Sequence, residues 1–109
     1  MATAALSLDS IFGSLSDPTR RDILSRVARG ELTVSEIAAP YSVSLAAISK
    51  HLQILERAKL IVKRRFGKQQ VVSLSLVAFK DASAYLKNYE KLWNDRFDSL
   101  ERYLSTLPK

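Results

Sequence analysis

Between Ser42 and Ile61 the chain reads SVSLAAISKHLQILERAKLI, and this stretch limits the possible folds more than any other. At about 100° per residue, Leu45, Ile48, Leu52 and Leu55 share one stripe of a helix, which predicts that this side is buried. Ala46, Ser49, Lys50, Gln53 and Arg57 fall within about 100° of arc on another side. That second side is small near the helix start and polar or basic further on. Ser44 stands where an N-cap belongs. A strand-like run, Leu60 to Arg65, follows at once, and a second, Gln69 to Leu76, follows Phe66-Gly67-Lys68. Val71, Ser73 and Ser75 alternate with Val72, Leu74 and Leu76, a half-buried pattern. The glycine-containing connection reads as a hairpin turn.

The flanking segments supply the rest of the fold. Leu6 to Leu15 has apolar residues at 6, 8, 11, 12 and 15, which suits a first helix. Asp17-Pro18 reads as an N-cap with proline at the first helical position, opening a helix that stops at Gly30, a natural C′ residue. Thr33-Val34-Ser35-Glu36 is a capping box that opens a short third helix ending near Pro40. That helix, a turn near Pro40-Tyr41-Ser42 and the helix after Ser44 form a helix-turn-helix, and the hairpin is its wing. From about Val77 to Leu107 the chain is one long helical pattern. Phe79, Leu86, Trp93, Leu100 and Leu107 recur every seven residues, and Tyr85, Tyr89, Leu92, Phe97, Tyr103 and Leu104 widen the stripe. The expected fold is mostly α with a two-stranded β-wing: a winged helix-turn-helix with five helices in the order ααααββα, as a single domain over residues 1–109. The apolar face of the last helix exceeds what so small a domain can cover. Dimerisation is its simplest use, with Leu6 and Ile11 of the first helix and Leu86, Tyr89, Trp93, Phe97 and Leu100 of the last as interface candidates. The alternative is a last helix folded back over its own core.

Charge narrows the function. The chain carries a formal net charge of +6, and Lys50, Arg57, Lys59, Lys63, Arg64, Arg65 and Lys68 lie in one segment against the single anion Glu56. A focused basic patch points to a polyanion, most simply double-stranded DNA. A recognition helix must bury one side and enter a major groove about 12 Å wide with the other, so bulk near its start is a handicap. Ala46, Ala47 and Ser49 let the backbone come close. Lys50 and Gln53 reach phosphates or base edges, and glutamine suits adenine. The helix start at Ser44 can meet a phosphate, and Arg64, Arg65 and Lys68 fit backbone or minor-groove contacts. Leu45 has two possible places: the core stripe, which the periodicity favours, or the groove, where it would touch a thymine methyl. The competing reading is a protein–protein module whose basic patch is incidental.

Other classes are excluded. With no cysteine, disulfides and thiolate metal sites are out. The sequence offers no nucleophile–base pair, no glycine-rich phosphate loop and no metal cluster, so neither enzyme chemistry nor a cofactor is expected. No apolar run approaches the ~20 residues of a membrane span, and MATAALSLDS is not a secretory signal. A cytoplasmic location without membrane partners is expected.

The segments LSDPTRRDIL (Leu15 to Leu24), ELTVSEIA (Glu31 to Ala38), VSLAAISKHLQILERAKLI (Val43 to Ile61) and RRFGKQQVVSLS (Arg64 to Ser75) together resemble the ArsR-type bacterial winged-helix repressors over about residues 6 to 105. The resemblance implies a homodimer that binds palindromic operator DNA and represses transcription. Many members of that family sense metals through a cysteine pair in the third helix, where this chain has Thr33 and Ser35; hydroxyls are poor ligands for thiophilic ions. Another family site combines carboxylates and histidines on the last helix. Here that helix has Asp81, Glu90, Asp95, Asp98 and Glu101 but no histidine. The chain's one histidine, His51, is expected to make a structural hydrogen bond near the core. Where relatives often have glycine after the recognition helix, this chain has Lys59, which either adopts a left-handed conformation or ends the helix differently. The run with Tyr89, Trp93, Arg96, Leu100 and Tyr103-Leu104 is similar to a branch without metal sites. The inducing effector is not readable from the sequence.

Overall fold

The computed structural model describes the backbone of residues 2–108 and the side chains of residues 8–108. The elements run α1 (Ala2–Ser14), α2 (Pro18–Ala28), β1 (Leu32–Thr33), α3 (Val34–Ala38), α4 (Leu45–Arg57), β2 (Ile61–Phe66), β3 (Gln69–Leu74) and α5 (Leu76–Thr106). Five helices and the hairpin stand where the sequence predicts them. β1 is an addition: Leu32 and Thr33 pair antiparallel with Val72 and Val71, giving a three-stranded sheet of order β1-β3-β2.

Local chemistry accounts for most boundaries. Asp17 caps α2 by accepting the Arg20 backbone N–H, with Pro18 at the first helical position. At the other end Gly30 sits at C′, its N–H on the Val27 carbonyl, but without the left-handed conformation usual there. Thr33 and Glu36 close the capping box in both directions, at 3.1 and 2.8 Å. α4 ends in a Schellman motif: Leu60 N–H reaches the Leu55 carbonyl, Lys59 N–H the Glu56 carbonyl, and Lys59 takes φ 62°. Of the two possibilities for Lys59, the left-handed one holds. Leu60 then packs fully buried with Leu55, the apolar contact that accompanies this motif. The wing turns through two residues, and φ 61° at Gly67 alone is the mark of a type II′ hairpin.

The core collects one face from each helix around Val72 of the central strand. Ile23, Leu24 and Val27 of α2, Ile37 of α3 and Ile48, Leu52 and Leu55 of α4 are its body. Two expectations are corrected here. Ile11, read as an interface residue, is 0% exposed inside the chain's own core; an apolar helix face cannot say which core the helix joins. Leu45, favoured for the core stripe, is 57% exposed. It is the first residue of α4, its Cβ leans back past the helix start, and no earlier turn lies there to receive it. Leu6 falls outside the residues whose side chains are described. α5 adds only Ala78 and Ala82 to the buried core, with Phe79 packed against it. The helix then leaves the body instead of folding back, and the molecule measures 70 Å along its longest axis.

Candidate nucleic-acid interface

Ser44 opens α4 with its hydroxyl on the Ala47 backbone N–H at 3.1 Å. That bond uses an acceptor site and leaves the O–H free to donate, so the helix start offers an anion this hydroxyl, its remaining N–H groups and the positive end of the dipole. Behind the cap, Leu45, Ala46, Ser49, Lys50 and Gln53 are exposed, and Ala47 is half-buried. Ile48, Leu52 and Leu55 on the opposite side are fully buried. The helix is thus clamped along one side and bare along the other.

On the wing, Arg64, Arg65 and Lys68 are exposed at and beside the turn. Arg65 Nε donates to the Gly67 carbonyl at 3.2 Å, which steadies its stem along the hairpin. Lys63 pairs with Glu56 of α4 at 3.4 Å. The one anion of the basic segment is therefore occupied within the protein, and that pair ties wing to helix. An exposed pair of this kind adds at most about 1 kcal/mol. Recognition helix and wing thus carry the exposed cations Lys50, Arg64, Arg65 and Lys68, and after Leu45 the start of α4 is small.

Two arginines of α2 hold this surface in place, and sequence reasoning passed over both. Arg20 donates through Nε to the Ser14 carbonyl at 2.8 Å, and its Nη1 lies 3.2 Å from His51 Nδ1. Guanidinium is always a donor, so His51 Nδ1 is the acceptor in this contact. His51 thus makes the structural hydrogen bond expected of it, and it fastens α4 to the junction of α1 and α2. Asp17 lies 3.9 Å from the same ring nitrogen. Its carboxyl is held below the usual range chiefly by the Arg20 backbone N–H, with the nearby His51 ring and the Arg20 charge adding to the effect.

Arg26 works on the other side of the motif. Its two terminal nitrogens donate to the Ile37 and Glu36 carbonyls at 2.8 and 2.9 Å, satisfying the end of α3. The same guanidinium lies 5.5 Å from the centre of the Tyr41 ring. Tyr41 donates its hydroxyl to Asp22; burial first, and then this carboxylate, push the phenol above its ordinary value. The turn between α3 and α4 is therefore gripped by α2. Nothing local in the sequence marks these ties, because each is a long side chain reaching a distant carbonyl or ring.

The interface candidates on α5 lie on the face that leaves the body. Leu86, Tyr89, Trp93, Phe97 and Leu100 are all about half exposed or more, Trp93 at 57%. The rings associate along the helix: Tyr85 meets Tyr89 edge-on at 5.2 Å between centroids, and Trp93 meets Phe97 at 5.7 Å. Phe12 of α1 joins the row at 5.9 Å from Tyr85. No helix among the described residues is long and apolar enough to cross a membrane.

A family model described as a helix-turn-helix domain matches residues 15–64. The transcriptional repressor SdpR of Bacillus subtilis (strain 168) is 34% identical over 82 residues, which are 75% of this chain and 91% of its own. A solved ArsR family transcriptional regulator superposes with a TM-score of 0.78 at 34% identity, over 83% of this chain and 93% of that one. The homodimeric winged helix-turn-helix DNA-binding domain of Mb0332 from Mycobacterium bovis, described as a possible ArsR-family transcriptional regulator, gives 0.66 at 28% identity, over 84% and 86%.

Proposed function

Since the chain belongs to the ArsR family of helix-turn-helix transcriptional regulators, we propose that it acts as a homodimeric repressor that binds palindromic operator DNA in a sequence-specific way. The whole chain serves as one such unit and carries out no catalysis. The observation that carries the reading is the bare side of α4 beside a basic wing, in a helix whose other side is completely buried. After Leu45, the small Ala46 and Ala47 near the start of α4 suit close approach to a major groove, with Ser49, Lys50 and Gln53 behind them. Arg64, Arg65 and Lys68 supply contacts that any sequence can receive.

Dimerisation rests on α5. A row of large aromatic and aliphatic side chains left in water favours burial against a second copy, and the Mb0332 domain is homodimeric by its description. Leu86, Tyr89, Trp93, Phe97 and Leu100 are the contacts assigned to it. The signal that releases the repressor does not come through either metal route of the family. Thr33 already uses its hydroxyl as an N-cap acceptor, Ser35 offers another hard oxygen, and the carboxylates of α5 have no histidine beside them.

Selection from a random duplex pool tests the reading, followed by fluorescence anisotropy on the selected and a scrambled duplex across a salt series. The expected result is a palindromic motif with half-sites about one helical turn, or a multiple of it, apart. Gln53→Ala should weaken binding to that motif by about 1–3 kcal/mol, whereas Arg64→Ala should weaken binding to every sequence alike and reduce the salt slope by about 1. A pool that never enriches, with equal weak binding to both duplexes, would return the chain to the protein–protein reading.

A further inference from the structure

Leu45 is the one large apolar residue on the bare side of the recognition helix. It is 57% exposed, whereas Leu52 and Leu55 of the same helix are buried. Among the described residues no capping or packing role accounts for a leucine here. Ser44 beside it makes the cap, and Val43 before the cap is exposed as well. Along α4, Leu45, Ser49 and Gln53 follow one another at four-residue steps on the same side, all exposed. The row therefore begins apolar, becomes small and ends polar. As the first residue of the helix, Leu45 extends past the helix start, where recognition helices meet base edges. The only apolar group on the floor of the major groove is the thymine C5-methyl. The flanking residues include the exposed cations Lys50, Arg64 and Arg65, which suit the phosphates beside a major groove.

We propose that Leu45 is a specificity-determining residue that selects a thymine in each operator half-site through van der Waals contact with its C5-methyl group. This rests on the DNA-regulator reading above and adds to it the chemical feature being read. Leu45 contributes no hydrogen bond, so its discrimination is between thymine and the same pyrimidine without a methyl.

The experiment replaces each thymine of the selected duplex in turn by deoxyuridine, which keeps every hydrogen-bonding group and removes only the methyl. For the unaltered protein, one position per half-site should lose affinity by about fourfold, the worth of one buried methyl group. Leu45→Ala and Leu45→Gln should bind the thymine and deoxyuridine duplexes equally at that position. Because Leu45 is exposed, both variants should melt like the parent. Their other deoxyuridine responses should be unchanged. If a motif is selected but no deoxyuridine effect depends on residue 45, this inference fails while the regulator reading stands. If no motif is selected, both fail.

Discussion

α4 and α5 are both amphipathic helices, and the protein treats them in opposite ways. The apolar stripe of α4 is saturated inside the chain: Ile48, Leu52 and Leu55 are buried, and every residue free to meet a partner is small, polar or basic except Leu45. The stripe of α5 is spent on the core only at Ala78, Phe79 and Ala82. Beyond them it runs on in water for the rest of the helix. A helix with its apolar side satisfied recruits chiefly through charge and hydrogen bonds. A helix with that side open recruits through burial. In the proposed reading, one chain thereby keeps two kinds of association apart, a salt-sensitive one along α4 and the wing and a salt-tolerant one along α5.

The largest expected effect tests this division directly. Leu52→Ala should cost about 2–5 kcal/mol of folding stability, because it opens a cavity in a finished core. That is much of what a domain of this size has, and urea unfolding would show it. Trp93→Ala removes a larger side chain, yet it should leave the urea midpoint of the dilute monomer nearly unmoved. Its cost, about 2 kcal/mol or more, should fall on the association constant, read as a lower sedimentation coefficient at micromolar concentration. An unchanged sedimentation coefficient would end the argument that α5 meets a second copy.

A smaller effect, opposite in sign on the two helices, sharpens the same comparison. Lys59 ends α4 in the left-handed region at φ 62°, where a side chain costs about 1–2 kcal/mol. Lys59→Gly should therefore raise the urea midpoint. Lys87→Gly in the exposed middle of α5 should lower helicity by circular dichroism, at about 1 kcal/mol. The smallest effect concerns pH. Asp17 and Glu36 both sit below their ordinary carboxyl values when folded, Asp17 chiefly through the Arg20 N–H and Glu36 through the Thr33 N–H. Their stabilisation is present above about pH 4.5 and is lost as pH falls through the lower folded values. Between about pH 5 and pH 2.5 the parent should lose more stability than the Asp17→Asn, Glu36→Gln double variant, whose amides cap without titrating. α5 has no side-chain cap at Ser75 and should not contribute to that difference.

What was legible in the sequence was what a few consecutive residues decide. Asp17-Pro18, the Thr33–Glu36 box, Ser44 and the Gly67 turn each work through contacts two or three residues away, and each formed as read. The two-residue strand β1 was invisible because its partner lies in the wing, far along the chain. Leu45 was misplaced because a periodic stripe counts angle alone, and the first residue of a helix has no turn behind it. Ile11 was misassigned because an apolar helix face looks the same whether its own core or another chain will cover it. Arg20, Arg26 and Tyr41 position the reading surface through bonds to groups 6 to 31 residues away, which no local pattern records.

The pairing of Leu32 with Val72 also governs how the protein assembles in time. Every other strand contact closes through a two-residue turn. This one must close a loop of about 40 residues, at an entropic cost that grows only slowly with length but precedes any return. β1 continues directly into α3, so the front half of the helix-turn-helix and the wing are completed by the same closure. A chain still missing that pairing would lack the tie between the start of α3 and the central strand of the sheet.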